Sequence, residues 1–305
     1  MARPPEERAG VADLDLAGTT ALVTGSTSGI GREAALALGR LGADVIVHGR
    51  DADAGEAVVA DLGATGADAR FLRADFADTD AVSDLAATVR ESVDDLDLLL
   101  NNAGGLFREG RLTDIGVEYT FHVNHLAPYL LTAELLDAVP PGGRIVTTAS
   151  EAHRGGSLDL DGVTSVDSYS GLSAYNRSKL ANVLFTRELD RRLEAAGRDV
   201  AANAVHPGAI PGSDFARFLP GPVASAMKLF DAVPLVTSVK DGAAALLNAA
   251  VAPDLGGVSG RYFAKQRSKT PSGTARDPEL ARALWERSAA LLDVEEPLSD
   301  AVGSD

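Results

Sequence analysis

The chain has 305 residues, 45% of them hydrophobic and 24% charged, which is enough for one large domain with a substantial core. It contains no cysteine, so disulfides, thiolate catalysis, iron–sulfur clusters and thiolate zinc sites are excluded. Its 28 Lys and Arg face 44 Asp and Glu, and the resulting net charge of −16 disfavours binding to nucleic acid through the phosphates.

Short aliphatic runs alternate with longer Ala- and Leu-rich segments along the whole chain. The run Leu98–Leu100 is continuous rather than alternating, which is typical of a strand covered on both faces. We therefore predict an α/β fold: a single Rossmann-type, doubly wound parallel sheet of about seven strands with helices on both faces. The predicted strands are Thr20–Thr24, Asp44–His48, Ala69–Arg73, Leu96–Asn101, Gly143–Thr148, Val200–Val205 and Gly260–Ala264. The predicted helices cover residues 30–41, 53–62, 78–94, 113–137 and 174–196.

No repeat or linker divides the chain, so the sequence predicts one folded domain over residues 16–290. Residues 1–15 and the acidic stretch 291–305 are polar and charged, and we expect both to be flexible. Neither a signal peptide nor a membrane span is predicted, because residues 1–15 lack an apolar core and Lys240 and Asp241 interrupt the longest weakly polar stretch. The expected location is the cytoplasm, away from the membrane.

One region, residues 209–240, breaks the alternation of strands and helices. It is rich in Pro and Gly and carries apolar side chains that include Phe215, Phe218 and Met227. A long irregular insertion in an α/β domain is usually a lid or a binding loop, so we predict that these three side chains contact a substrate. The alternatives are a surface excursion without function and aromatic side chains that simply pack against the domain.

The first predicted strand runs directly into a glycine-rich turn that opens a helix. Residues 24–31 read TGSTSGIG, with Gly25, Gly29 and Gly31 in a G-x3-G-x-G spacing. Glycine lets the backbone approach a pyrophosphate, and the first turn of the helix offers N–H groups at the positive end of its dipole. This pattern favours a dinucleotide site, although a tight connection without a ligand would use similar residues. No lysine follows the glycines, which excludes a P-loop NTPase.

The end of the second strand indicates which dinucleotide binds. A site for NAD normally has a carboxylate here that accepts hydrogen bonds from the ribose 2′-hydroxyl. This chain has Gly49 in that position and Arg50 after it, with no acid before Asp51. A guanidinium can pair with a 2′-phosphate, so NADP(H) is predicted in preference to NAD(H). NAD(H) is the alternative if Arg50 is only a solvated surface charge.

A tyrosine and a lysine lie four residues apart in the predicted helix 174–196. This spacing places Tyr175 and Lys179 on one face of the helix, one turn apart. A phenol with a pKa of about 10 is a poor acid–base group near neutrality, but a nearby ammonium favours the phenolate. The pair alone is weak evidence, because Tyr-x-x-x-Lys also occurs on ordinary helix surfaces.

Other polar residues follow neighbouring predicted strands. Ser150 comes just after the strand Gly143–Thr148, and the turn Asn101–Gly104 follows the strand at Leu96. Because open α/β sheets bind ligands outside the carboxyl ends of their strands, these groups are expected to meet at one edge. Asn124 lies within the predicted helix 113–137.

These residues, in this order, resemble the short-chain dehydrogenase/reductase family over about residues 18–265. The shared signatures are TGSTSGIG, NNAG, Asn124, Ser150 and YNRSK. A closer similarity is to the retinol-dehydrogenase-like branch, through VNHLAPYLLT, RIVTTASEAHRGG, SKLANVLFTRELDRRL, AVHPG and GRYF. The resemblance implies that residues 16–290 form an NAD(P)-binding catalytic domain in which hydride passes between a dinucleotide and a carbonyl or alcohol.

The resemblance also implies a role for each residue. Tyr175 would exchange a proton with the substrate oxygen, and Ser150 would hydrogen-bond the same oxygen. Lys179 would lower the pKa of Tyr175 and hold the nicotinamide ribose. Asn124 would anchor a water that links Lys179 to solvent. Asp75 would meet the adenine amino group, and the residues from Asn102 to Gly104 would line the adenosine ribose.

The predicted cofactor site is larger than these motifs. Its members are Gly25, Ser26, Ser28, Gly29, Ile30, Gly31, Arg50, Asp75, Phe76, Asn102, Ala103, Gly104, Tyr175, Lys179, Pro207, Gly208 and Ile210. One position departs from the family pattern, which usually has a threonine five residues after the proline. Here that residue is Gly212, with Ser213 next to it.

The sequence thus predicts an NADP(H)-dependent enzyme that reduces a bulky hydrophobic ketone or aldehyde. One alternative is NAD-dependent oxidation of alcohols within the same family. Another is a dinucleotide-sensing protein without turnover, which would have no need to keep Asn124, Ser150, Tyr175 and Lys179 together. The histidines form no readable metal site, so no metal is expected. A homo-oligomer that pairs through helices 113–137 and 174–196 is left open.

Overall fold

A computed structural model describes residues 3–208 and 237–299, and it confirms the predicted α/β architecture. The strands are β1 Thr20–Val23, β2 Asp44–Gly49, β3 Ala69–Arg73, β4 Leu98–Asn101, β5 Arg144–Thr148, β6 Ala201–His206, β7 Tyr262–Ala264 and β8 Arg267–Lys269. The helices are α1 Pro5–Ala9, α2 Gly29–Arg40, α3 Ala52–Gly63, α4 Thr79–Ser92, α5 Tyr119–Phe121, α6 Ala127–Leu135, α7 Gly171–Ala195, α8 Val239–Val251 and α9 Pro278–Leu292.

The eight strands form one sheet in the order β3-β2-β1-β4-β5-β6-β7-β8. All neighbours are parallel except β7 and β8, which form an antiparallel hairpin. The order reverses direction between β1 and β4, and at this switch point the turns that follow these two strands meet. The sequence predicted seven strands and missed β8, a three-residue strand of exposed polar residues with no apolar pattern to mark it.

Both faces of the sheet are covered, as the continuous apolar strands indicated. Successive residues of β1 belong to opposite layers: Leu22 packs with α4, α6, α7 and α9, whereas Ala21 and Val23 pack with α2, α3 and α8. Such a parallel sheet holds its carboxyl edge rigidly, so side chains that follow the strands are fixed relative to one another.

The described parts of the two chain ends include helices that pack on the domain. Helix α1 begins at Pro5 and packs on α8, with Ala9 and Val11 buried. Glu6 accepts a hydrogen bond from Arg40 Nε at 2.7 Å. At the other end, helix α9 continues to Leu292. The described residues 3–15 and 291–299 are thus attached to the domain by a few buried side chains and ion pairs, while the predicted domain bounds stay a prediction.

The predicted helix 113–137 is also corrected. It begins only at Tyr119, and residues His122–Leu126 form a π-helical turn before α6. Glu118 caps this helix from a fully buried position by accepting hydrogen bonds from the N–H groups of Thr120 and Phe121. A π turn inserts one extra residue per turn, which periodicity in the sequence does not reveal.

Helix α9 covers part of the surface that the sequence left open for pairing of two copies. Trp285 on α9 is buried against Tyr129 of α6 and Phe185 of α7, with ring centroids 4.9 and 5.7 Å away. A homo-oligomer through the exposed remainder of these helices stays a prediction. Within residues 3–208 and 237–299, none of the helices has both the length and the apolar character needed to cross a membrane.

Candidate active site

The glycine-rich turn after β1 is packed directly against the turn after β4. Gly25 has a φ of +64°, and a Cβ there would lie 2.8 Å from the Cα of Ala103. A Cβ on Gly31 would lie 2.5 Å from both the Gly25 carbonyl oxygen and Asn102 Nδ2. Side chains at these two positions would therefore push the turns apart, which explains why the motif needs glycine there.

Hydrogen bonds fix the same junction. Asn102 donates its side-chain N–H to the Thr24 carbonyl oxygen at 2.9 Å, and its backbone N–H bonds to Thr24 Oγ1 at 2.9 Å. The backbone N–H of Ala103 also reaches Thr24 Oγ1, at 3.0 Å. The side chain of Asn102, predicted to line the cofactor, thus holds the glycine-rich turn in place.

The two serines of the turn have different surroundings. Ser26 is buried, donates to the Val23 carbonyl oxygen at 2.6 Å and accepts from the backbone N–H of His48 at 3.0 Å, so its hydroxyl has a structural role. Ser28 is exposed, and its side chain makes no capping bond to α2. The first turn of α2, from Gly29 through Ile30, contains no acidic residue, so its positive end is available to a phosphate.

A buried histidine, which the sequence did not single out, supports this turn. His48 Nδ1 accepts a hydrogen bond from the backbone N–H of Gly25 at 3.2 Å, and Nε2 lies 3.2 Å from the Ala74 carbonyl oxygen. Because an N–H only donates and a carbonyl only accepts, the proton must reside on Nε2. Burial lowers the pKa of His48 to about 4, which keeps the ring neutral. The ring stacks on Phe76 at 4.5 Å, so that predicted cofactor residue is buried behind the turn.

Arg50 and Asp75, predicted to contact different parts of the cofactor, lie beside each other. Arg50 Nη1 is 3.7 Å from Asp75 Oδ2 and 3.3 Å from the hydroxyl of Tyr119. The Arg50 side chain is 61% exposed. An exposed ion pair contributes less than about 1 kcal/mol, so the guanidinium can turn to a stronger anion at small cost.

Ser150, Tyr175 and Lys179 converge at the carboxyl edge of the sheet. Ser150 follows β5 and caps a short 3₁₀ turn, Glu151–Gly155, by accepting the N–H of Ala152 at 3.2 Å. Its hydroxyl also hydrogen-bonds the phenol of Tyr175 in α7. Lys179, one turn further along α7, places its Nζ 5.7 Å from the centre of the Tyr175 ring. The structure therefore brings together the three groups that the motifs indicated.

Burial shifts the pKa values of both Tyr175 and Lys179. In the chain itself, burial raises the pKa of Tyr175, and the hydrogen bond from Ser150 opposes this only in part. The Lys179 ammonium donates to the Thr148 carbonyl oxygen at 2.9 Å, and burial lowers the pKa of Lys179 to about 8. Desolvation therefore dominates at both groups, and the lowering of the Tyr175 pKa by Lys179 stays a prediction for the enzyme with its cofactor bound.

Asn124 lies within the π-helical turn and is completely buried. Its Oδ1 accepts from the Gly105 N–H at 2.8 Å, while Nδ2 donates to the Gly105 carbonyl oxygen at 2.8 Å and to Ser178 Oγ at 2.9 Å. Gly104 has a φ of +146°, and a Cβ there would lie 2.6 Å from Asn124 Oδ1. Both amide hydrogens join the turn after β4 to α7, and the water expected at Asn124 stays a prediction.

The Pro-Gly turn after β6 meets the far end of the insertion. Gly208 has a φ of +106°, and a Cβ there would lie 2.5 Å from Cγ2 and 2.8 Å from Oγ1 of Thr237. A threonine therefore does lie next to the Pro207–Gly208 segment, although it comes from residue 237 rather than position 212. The other predictions for this region, Ile210, Ser213, Phe215, Phe218 and Met227, lie outside the described residues, as does the insertion up to residue 236.

The comparisons with known proteins agree with this geometry. A family model described as short chain dehydrogenase matches residues 19–219. The chain belongs to the short-chain dehydrogenase family. It is 38% identical to human retinol dehydrogenase 13 over 297 residues, covering 92% of this chain and 86% of that protein, which supports the retinol-dehydrogenase-like branch.

Two further likenesses extend this result. The chain is 38% identical to "Putative daunorubicin C-13 ketoreductase DnrU" from Streptomyces sp. (strain C5), with coverage of 94% of this chain and 97% of that protein. The crystal structure of a short chain dehydrogenase from Burkholderia cenocepacia J2315 in complex with NADP superposes with a TM-score of 0.67 at 31% identity, covering 86% of this chain and 99% of that one. This short-chain dehydrogenase therefore shares its fold with a protein that binds NADP.

Proposed function

We propose that this protein is an NADP(H)-dependent oxidoreductase that reduces a bulky hydrophobic ketone or aldehyde to the alcohol, with Tyr175 as the acid–base group. The observation that carries the proposal is the convergence of Ser150, Tyr175 and Lys179 at the sheet edge that also carries the glycine-rich turn. A hydroxyl, a phenol and an amine at one sheet edge form a proton-transfer site for an oxygen that changes between carbonyl and alcohol.

The residues around the glycine-rich turn fit a dinucleotide. The glycines leave no side chain between the turn and a ligand, and the start of α2 offers N–H groups without a competing acid. Arg50 is exposed and only weakly paired, so it suits a 2′-phosphate. The NADP bound by the Burkholderia relative supports the same choice. When bound, the dinucleotide supplies or accepts the hydride.

The side chains of this chain would handle the proton. The N–H of Ala152 occupies one lone pair of Ser150 Oγ, which leaves the hydroxyl to bond Tyr175 or the substrate oxygen. Tyr175 starts as the neutral phenol, since burial raises its pKa, and a neutral phenol is the form that donates a proton during carbonyl reduction. Once Tyr175 has given up its proton, the Lys179 ammonium would stabilise the negative charge of the phenolate.

The substrate class rests on the relatives and on the insertion. Retinol and daunorubicin, named in the descriptions of two relatives, are both large molecules with extensive apolar surface. The apolar residues of 209–240 suit such a ligand. A cytoplasmic location, expected from the sequence, belongs to the same proposal.

The test is consumption of NADPH with a panel of carbonyl compounds. Aromatic polyketides, terpenoid aldehydes and steroid ketones are expected to be reduced, and small sugars are not. The Tyr175→Phe variant, run in parallel, shows how much of the loss of NADPH absorbance is due to catalysis that depends on Tyr175. Turnover confined to small hydrophilic sugars would contradict the substrate class, and faster reaction with NADH than with NADPH would contradict the cofactor.

A further inference from the structure

A second buried histidine lies directly behind Ser150. His153 is 0% exposed and lies within the 3₁₀ turn that Ser150 caps. Its Nδ1 is 2.7 Å from the Ser150 carbonyl oxygen, and its Nε2 is 3.1 Å from the backbone N of Ser272. The carbonyl can only accept and the amide can only donate, so the proton must be on Nδ1 and the lone pair on Nε2. Two backbone groups thus select one neutral tautomer.

The rest of the turn is attached to the same distant segment. Glu151 Oε1 accepts from the Tyr262 hydroxyl at 2.8 Å, and Arg154 Nη2 donates to the Thr270 carbonyl oxygen at 2.9 Å. The Tyr262 ring also meets the His153 ring edge-on, with centroids 4.8 Å apart. Residues 262–272 therefore hold the turn at three side chains, and His153 is the one among them that bonds Ser150 itself.

The orientation of Ser150 depends on this anchor. Ser150 has an extended backbone, with φ −157° and ψ 154°, which lets Oγ accept the N–H of Ala152. Its carbonyl accepts from the His153 backbone N–H at 3.1 Å and from Nδ1 of the His153 side chain at 2.7 Å. Rotation about ψ of Ser150 would carry the carbonyl away from His153 Nδ1 and the Ala152 N–H away from Oγ. The fixed backbone thus keeps the Ala152 N–H in place to hold Oγ, whose hydroxyl meets Tyr175.

We propose that His153, in its Nδ1–H tautomer, is a positioning residue that holds the Ser150 hydroxyl in the geometry required for hydride transfer to the substrate carbonyl. The role rests on the proposed function, because it serves the same reaction. It goes beyond the shared motif by assigning a specific hydrogen bond to the histidine of the AHRGG segment.

Two substitutions each remove one of the two side-chain hydrogen bonds of His153 and keep the other. In His153→Asn the side-chain amide nitrogen takes the place of Nδ1 and keeps the donation to Ser150, while the bond from Ser272 is lost. In His153→Gln the side-chain oxygen takes the place of Nε2 and keeps the bond from Ser272, while the donation to Ser150 is lost. Each variant loses one bond to the backbone, so both are expected to melt at similar temperatures.

The measurement is kcat and KM for an accepted ketone, with NADPH affinity determined separately. We expect kcat of His153→Asn to stay within about threefold of wild type and kcat of His153→Gln to fall by about tenfold, as loss of one buried hydrogen bond implies. NADPH affinity should be unchanged in both. Equal kcat values for the two variants, at equal melting temperatures, would overturn the proposal, since a merely structural role does not distinguish them.

A second measurement is independent of turnover. In ¹⁵N-histidine NMR spectra, assigned by comparison with His153→Asn, His153 should show a protonated Nδ1 and an unprotonated Nε2. His48 provides the internal contrast, because its partners require the opposite tautomer. The wrong tautomer at His153 with normal carbonyl turnover would overturn the positioning role alone. The expected tautomer without any carbonyl turnover would overturn the proposed function, and the positioning role would fall with it.

Discussion

The turn after β1 and the turn after β5 lie at the same edge of one sheet, but different parts of the chain hold them. The first is fixed by Thr24, His48 and Asn102, within the first third of the sequence, and by glycines that let backbones touch. The second is fixed by side-chain bonds to Tyr262, Thr270 and Ser272, more than a hundred residues away.

This difference separates two functions. The glycine-rich turn, where we propose that the dinucleotide binds, is built from local motifs whose contacts leave little freedom for change. The Ser150 turn depends instead on a segment from the C-terminal part of the chain. The predictions below test whether the glycine-rich turn and the Ser150 turn behave independently, and they run from the largest expected effect to the smallest.

The largest effect is expected at Tyr175, the proposed proton donor. Tyr175→Phe removes the proton donor, so kcat should fall by about 10²–10⁴-fold while NADPH still binds. The matched control is Tyr129→Phe, because the Tyr129 hydroxyl is buried without a hydrogen-bond partner among the described residues. That control should keep full activity. A Tyr175→Phe enzyme with kcat near wild type would rule out the acid–base assignment.

The next effect is on stability and comes from Lys179. Burial lowers its pKa to about 8 from a usual value of 10.5, so the folded state disfavours the charged form. Below about pH 8 this penalty is fully present, and it is relieved as pH rises towards 10, where the unfolded chain still binds the proton. Near pH 7, Lys179→Met should therefore be more stable than wild type by up to about 3 kcal/mol, although it loses activity.

Urea unfolding of both proteins at several pH values measures this difference. The advantage of Lys179→Met should shrink steadily between about pH 8 and pH 10. An advantage that does not change with pH would show that the lysine is not held in a desolvated, charge-disfavouring position.

A smaller effect is expected from a side chain placed at Gly31 in the glycine-rich turn. Gly31→Ala places a Cβ 2.5 Å from the Gly25 carbonyl oxygen, so the turn must shift. We expect a loss of about 1–3 kcal/mol of stability and weaker NADPH binding. Gly63→Ala is the control, since a Cβ there meets nothing within 4 Å and alanine favours a helix. The hydrogen bond between Ser150 and Tyr175 should be unaffected in either variant if the glycine-rich turn and the Ser150 turn are independent.

The smallest effect concerns cofactor choice. Arg50→Gln should weaken NADPH binding by about tenfold, as loss of one charge-assisted hydrogen bond implies, and leave NADH binding nearly unchanged. Arg70→Gln, at an exposed arginine in β3, controls for the loss of surface charge. Fluorescence of the bound reduced nicotinamide gives both affinities. Equal losses for the two cofactors would rule out the assignment of Arg50 to the 2′-phosphate.

The sequence predicted features that depend on local residues and missed features that depend on distant ones. Glycine spacing, apolar strands and the Tyr175–Lys179 pair report on local geometry, and the structure places them as expected. The π-helical turn, β8 and helix α1 were missed or misplaced, because each depends on packing rather than on a local pattern. Nothing in the sequence indicated the hydrogen bonds of His48, and the segment that contains His153 resembled a family motif without revealing a role, since the partners of a buried histidine are known only from the fold.

The most direct measurement is a crystal structure of the wild-type protein with NADP⁺. The Tyr175 hydroxyl and Ser150 Oγ should be about 3 Å apart and face C4 of the nicotinamide, with Lys179 Nζ beside the adjoining ribose. A nicotinamide bound elsewhere, or a Tyr175 hydroxyl directed away from Ser150 and the ring, would contradict the proposed chemistry and leave only the fold.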